Sequence, residues 1–463
     1  MIFSSLLFIF RFLPIALAIY YLAPAKLKNL ALFLVSIFFY SWGEVRYFPI
    51  MLACIVGNYF IAIFLGKNQD KPTVRRWLLV LTLVFNLGML FFFKYTDFFI
   101  ININALFGTS IGLLRLTLPL GISFYTFQTM SYTLDVYRGE VEPERNIIDL
   151  GAYVVMFPQL IAGPIVLYKD VAAQLKVHKN RYTLSEIDAG IGLFVLGLAK
   201  KVLLANSIGA LWDDIKVLGY ANISTPLAWL GAIAFTLQIY FDFSGYSTMA
   251  IGLGKMLGFN FPLNFNLPYI SRSITDFWRR WHMTLSGWFR EYLYIPLGGN
   301  RRGMKRQVLN LFIVWCLTGF WHGANWNFLL WGFYYFVLLT VEKLWLHKPL
   351  AKGKIWPHIY ALFFIVVGWA IFAVDTGMGD LAMFFSKLFI PQSGISAGYF
   401  VRNYGLSLLL GIVCSTPYPG RFYHKLCRQK KEVLRIAFLA VLLLVSIAYL
   451  VDSTYNPFIY FRF

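Results

Sequence analysis

Two of the six histidines fall within residues 277–326, and both follow a tryptophan: Trp281-His282 and Trp321-His322. Histidine takes and returns a proton near neutral pH, and removal from water lowers its pKa, which keeps the ring neutral and basic. His322 closes the apolar run 307–322. An ionisable group in such a run is costly and is by default a functional hypothesis. On a continuous helix Thr318 and Asn325 share its face with Trp321 alongside, and either could hold one ring nitrogen and leave the other as a general base. The competing reading is a buried structural histidine. Upstream, Thr275–Glu291 read as one helix carries Trp278, Trp281, Leu285 and Trp288 on one stripe. Arg279, His282, Ser286 and Arg290 fall on another, and Asp276 can pair with Arg279 or Arg280. Either this is an interfacial helix with its arginines toward lipid phosphates, or its polar stripe faces a cavity where His282 assists the chemistry; the two are compatible.

Between the histidines lies Pro296-Leu-Gly-Gly-Asn-Arg-Arg-Gly303. Its glycines let backbone amides approach an anion and Arg301 and Arg302 add charge, so it could hold the phosphates of a carrier. An ordinary basic turn looks the same. There is no H-E-x-x-H or Walker loop, and Cys54, Cys316, Cys414 and Cys427 lack metal spacing. A base acting on an acceptor hydroxyl is the economical mechanism, and it calls for no metal.

These residues need elements that can place them inside a membrane. Hydrophobic residues make up 59% of the chain and charged ones 13%, against roughly 25% charge in a soluble domain. The chain is therefore expected to be an all-α integral membrane protein. The formal charge of +20 comes from basic residues clustered in short loops, as positive-inside topology requires. That points to anionic lipid and a phosphate-bearing carrier rather than nucleic acid. Apolar runs recur from 3–22 to 433–451, which predicts about 11–13 spans plus re-entrant or interfacial helices, at about 20 residues per span. The first run lacks the features of a cleaved leader and is expected to remain as a span. Interruptions such as Leu118-Pro119-Leu120-Gly121 and Phe157-Pro158 are tolerated at membrane depth only where backbone is buried or lines a wet cavity. The expectation is a single polytopic domain, 1–463, with 273–326 as its catalytic core and 452–463 as an aromatic tail. Placing the basic loops 67–76, 272–306, 343–354 and 421–435 in the cytoplasm makes 307–342 a hairpin with His322 near its turn. It also puts the tail outside.

YFDFSGYSTMAIGLG (240–254), SITDFWRRWHMTLSGWFREYLYIPLGGNRRG (273–303), GFWHG (319–323) and FPQLIAGPI (157–165) together resemble the membrane-bound O-acyltransferase family. Within it, the chain looks most like the subunits that serve alginate O-acetylation and related polysaccharide acylation. Where the pattern commonly has Asp, this chain has Thr248 and Glu291. The resemblance implies a helix bundle pierced by a tunnel, a donor arriving from the cytoplasm, His322 as the catalytic histidine and His282 as a second required one. Asp242, Ser244 and Tyr246 become candidates to orient groups along the tunnel. Arg279, Arg280, Arg290, Arg301 and Arg302 become candidates to bind the donor. The tail Asn456–Phe463 resembles the C-terminal motif of a small partner in teichoic-acid D-alanylation, which makes Tyr460 a candidate acyl carrier; the alternative is aromatic anchoring at the interface.

The expected function is transfer of acetyl from a cytoplasmic thioester, acetyl-CoA or a carrier-protein thioester, to hydroxyls of an extracytoplasmic polysaccharide such as alginate. Expected partners are extracytoplasmic acetyltransferase- or esterase-like proteins, and the expected location is the cytoplasmic (inner) membrane. D-alanyl transfer to teichoic acid and peptidoglycan O-acetylation are alternatives within this chemistry. A transporter, the alternative of a different class, should carry paired acids within its spans, where Asp242 is nearly alone.

Overall fold

A computed structural model describes residues 2–161, 163–177, 182–428 and 431–452; Tyr460 lies outside them. Among these residues the regular structure is helical, with one isolated bridge between Ile223 and Ile395. Six helical stretches are long and apolar enough to cross a membrane: Phe48–Lys67, Pro72–Phe107, Thr225–Met256, Trp326–Lys352, Trp356–Ala373 and Glu432–Asp452. Shorter apolar helices, Phe8–Leu22 and Gly398–Cys414, accompany them. By its internal packing the chain divides into two compact units.

The first unit comprises Met1–Phe194 and Ser247–Pro262. Its main helices are α1 (Leu13–Leu22), α2 (Lys28–Gly43), α3 (Phe48–Lys67), α4 (Pro72–Phe107), α5 (Ile122–Arg138) and α6 (Ile147–Val155). Apolar surface gives little preference for protein over lipid tails, so polar and small side chains do much of the joining. Asn58 on α3 and Asn86 on α4 exchange amide hydrogen bonds of 2.9 Å in both directions. Thr129 on α5 donates to the same Asn86 oxygen at 3.1 Å.

The second unit, Val195–Tyr246 and Leu263–Phe463, holds every candidate site residue that the structure describes. A helical run enters it as α7 (Leu184–Ala199), continues through a π turn at Lys200–Asn206, and ends as α8 (Ser207–Leu218). The long helix α9 (Thr225–Met256) returns alongside it. Two short helices follow, α10 (Ile274–Arg280) and α11 (Met283–Phe289), then the hairpin α12 (Gly303–His322) and α13 (Trp326–Val341), and α14 (Trp356–Ala373). Glycine lets the hairpin close. A Cβ on Gly319 would lie 2.3 Å from the Phe328 carbonyl oxygen, and one on Gly332 would lie 2.4 Å from that of Trp315. The two backbones therefore pass at a distance that no larger residue allows.

Candidate active site

Helix α10 starts where its exposed N–H groups find acceptors. Ser273 caps it through the Asp276 amide at 2.9 Å. The Glu342 carboxylate, buried beyond the end of α13, accepts from the amides of Ile274 (2.5 Å) and Thr275 (2.9 Å) and from the Thr275 hydroxyl (2.6 Å). The helix stops at Trp281, which is extended, and His282 takes a left-handed backbone with φ +42° and ψ +55°. A continuous helix over Thr275–Glu291 is thus corrected to two helices with a sharp bend. A non-glycine residue at positive φ is strained and persists only where its surroundings hold it.

Asn264 is what holds it. Its carbonyl accepts from the Met283 amide at 2.9 Å. Its side-chain Oδ1 receives the Thr284 hydroxyl at 2.9 Å, the Thr284 amide at 3.3 Å and His282 Nδ1 at 3.0 Å. Two donors already identify that atom as the oxygen, so Nδ1 carries the proton and Nε2 is the basic nitrogen. His282 is only 1% exposed. This burial pushes its pKa down to about 3, so the ring is neutral at physiological pH. Its ring meets Phe243 of α9 edge-on, with centroids 4.7 Å apart.

His322 is the last residue of α12 and is buried at 7% exposure. Trp321, Trp331 and Phe372 surround its ring at centroid distances of 5.0, 5.0 and 5.3 Å. Trp321 also lies 6.5 Å from His282, so one indole neighbours both histidines.

The bend brings together what helical spacing had separated. A cavity of about 250 Å³ is lined by His282 and His322, by Trp278, Trp281 and Leu285 of one expected stripe, and by Arg279, Ser286 and Arg290 of the other. Thr275, Thr318 and Tyr294 add to its polar wall. Arg290 and Tyr294 also line a second cavity of about 440 Å³, formed with Gly298, Gly299, Asn300, Arg301 and Arg302. Gly298 and Gly299, at φ +105° and +53°, make the turn that shapes it. The basic stretch and the paired histidines therefore share a wall.

Other expected residues stand elsewhere. Arg280 lines neither cavity, and its Nε donates to Asp276 Oδ1 at 2.9 Å. Thr318 lines the histidine cavity, and its hydroxyl donates to the Val314 carbonyl at 2.7 Å. Asn325 does not continue His322's helix, because α12 ends at His322; it caps α13 instead. Its Oδ1 accepts from the Trp326 amide and its Nδ2 donates to the Asp375 carbonyl, both at 2.7 Å. The expectation that it shares a helical face with His322 is corrected accordingly. Asp242, Ser244 and Tyr246 are buried on α9 and do not line either cavity. Asp242 forms an ion pair with Lys201. Asn264 and Glu342, which shape the bend and its helix, escaped the sequence reading. Asn264 reaches His282 through a chain reversal that no periodicity marks, and Glu342 reads as one charge beside a basic loop.

Comparison with known proteins adds an independent line. The profile for MBOAT, membrane-bound O-acyltransferase family, matches residues 144–372. A probable alginate O-acetylase of Pseudomonas putida is 38% identical over the full length of both chains. That of Azotobacter vinelandii is 44% identical over 81% of this chain and 75% of its own. A peptidoglycan O-acetyltransferase of Helicobacter pylori is 38% identical over 80% of this chain and 77% of its own.

Proposed function

The chain belongs to the membrane-bound O-acyltransferase family and is a multi-pass membrane O-acyltransferase, and on that premise we propose that it moves acetyl from a cytoplasmic thioester to hydroxyls of an extracytoplasmic polysaccharide. Alginate is the first choice of acceptor, since full-length similarity is to a probable alginate O-acetylase. The observation that carries the mechanism is the single cavity lined by both His282 and His322, sharing Arg290 and Tyr294 with a glycine-rich basic cleft.

In this reading the cleft takes the donor's phosphates through Arg290, Arg301 and Arg302, while Arg279 lines the chamber where the thioester reacts. His322 accepts the proton of the attacking hydroxyl as its oxygen bonds to the thioester carbonyl carbon, and the thiolate that leaves recovers a proton. His282, with its tautomer set by Asn264, orients the reacting groups. The surrounding aromatic side chains keep water from competing for the acyl group. The hydroxyl belongs either to the sugar or to Tyr460, which would then carry the ester to an extracytoplasmic partner. The inner-membrane location and the partner proteins are part of the same proposal. Peptidoglycan O-acetylation is the second reading, favoured by the 38% identity to an enzyme of that name.

Transfer of radiolabelled acetyl in membranes tests the proposal, comparing wild type with His322→Ala and Tyr460→Phe and supplying either acetyl-CoA or an acetylated carrier protein. Label should reach polymer or protein from one donor and vanish with His322→Ala. Undiminished transfer by that variant would remove His322 as the base. Full polymer acetylation by Tyr460→Phe would remove only the shuttle.

A further inference from the structure

Helix α9 carries a buried charge one residue away from the side chain that touches His282. Asp242 Oδ1 lies 2.5 Å from Lys201 Nζ, and both side chains are 2–3% exposed. Lys201 also donates to Asn206 Oδ1 at 2.8 Å. The pair sits in the middle of a seam. One turn along α9, a Cβ on Gly245 would fall 2.8 Å from the Gly197 carbonyl oxygen and 3.0 Å from the Lys201 amide. One turn back, Gln238 presses on Gly209, where an added Cβ would meet its amide nitrogen at 2.1 Å. Residues 238, 242 and 245 thus form one stripe of α9. They meet 209, 201 and 197 of the facing run in antiparallel order.

Phe243 points about 100° round the helix from Asp242, and its ring packs edge-on against His282 at 86°. Lys201 itself lies in the π turn Lys200–Asn206, a distortion that recurs at functional sites. Small residues at 197, 209 and 245 allow close approach but do not choose a register. A buried ion pair contributes little net stability, and its best-attested use is to choose one.

We infer that Lys201 and Asp242 are positioning residues for the acyl transfer: they set the register of α9 and, through Phe243, the placement of the His282 ring. This rests on the reading that His282 serves the reaction. A single substitution takes the opposite charge away from a buried one and can cost the fold, whereas neutralising both partners is often tolerated. The test variant is therefore Lys201→Met/Asp242→Asn in the full chain, with membrane abundance and thermal unfolding measured alongside labelled acetyl transfer from whichever thioester serves the wild type. At wild-type abundance, kcat should fall about tenfold or more with KM within about twofold. Combined with Phe243→Leu, the loss should be less than the product of the separate losses, because both changes act through one contact. Wild-type kcat in the double variant, or losses that simply multiply, overturns the inference. So does a double variant that never reaches the membrane although Lys201→Arg transfers at the wild-type rate, since the pair would then serve only the fold. Wild-type transfer by His282→Gln is a separate result, which removes the role of His282 itself.

Discussion

At the residue scale, the site turns on how one side chain is held. Asn264 Oδ1 serves three donors, and one of them is His282 Nδ1. Replacing Asn264 with Ala should lower kcat by about tenfold or more while protein remains in the membrane, because the ring loses its tautomer and its anchor. Asn264→Asp sets a carboxylate beside the ring and should raise the His282 pKa. Its pH–rate profile should therefore lose activity at a higher pH on the acid side than the wild type does. Burial also gives a stability signature. The folded ring holds out against protonation to about 3, while an unfolded histidine titrates near ~6.5. Between these values the unfolded chain binds the extra proton, so the contribution is full above about 6.5 and declines as pH falls toward 3. Thermal unfolding across pH 4–7 should show that decline in the wild type and less of it in His282→Gln. Equal slopes would mean that the ring is not buried neutral.

At the scale of elements, the α12–α13 hairpin depends on glycine at its crossing. Gly319→Val introduces side-chain carbon where the Phe328 carbonyl already lies, and overpacking of this kind costs about 1–3 kcal/mol. Thermal unfolding should fall accordingly, and transfer should fall with it, because His322 is the residue that ends α12. Gly88 on α4 makes the control, since a Cβ there meets nothing within 4 Å. Gly88→Ala should be neutral or stabilising by up to about 1 kcal/mol. If Gly319→Val unfolds like that control, the close crossing is not what holds the hairpin.

At the scale of the whole molecule, the charge of +20 concentrates in loops that positive-inside topology assigns to the cytoplasm. A cysteine-free background with Lys305→Cys should react with a membrane-impermeant maleimide only after permeabilisation. Asp452→Cys, at the end of the last apolar helix, should react in intact spheroplasts. The opposite pattern would place the basic cleft on the wrong side for a cytoplasmic thioester.

Composition alone was enough to read a helical membrane protein, because exclusion of charge over long runs permits little else. The glycines and arginines of 296–303 and the two tryptophan–histidine steps were legible for the same kind of reason: each residue type is costly or unusual where it stands. Helical periodicity then kept the tryptophan stripe apart from the arginine stripe and carried His322's helix on to Asn325. Periodicity describes a helix only while it lasts. The breaks at His282 and after His322 depend on acceptors brought from Asn264 and Asp375, and the start of α10 on Glu342, all by chain reversals, and such contacts leave no local pattern. Tertiary structure alone therefore decided that both histidines line one cavity, and that Asp242 answers a lysine rather than facing that cavity.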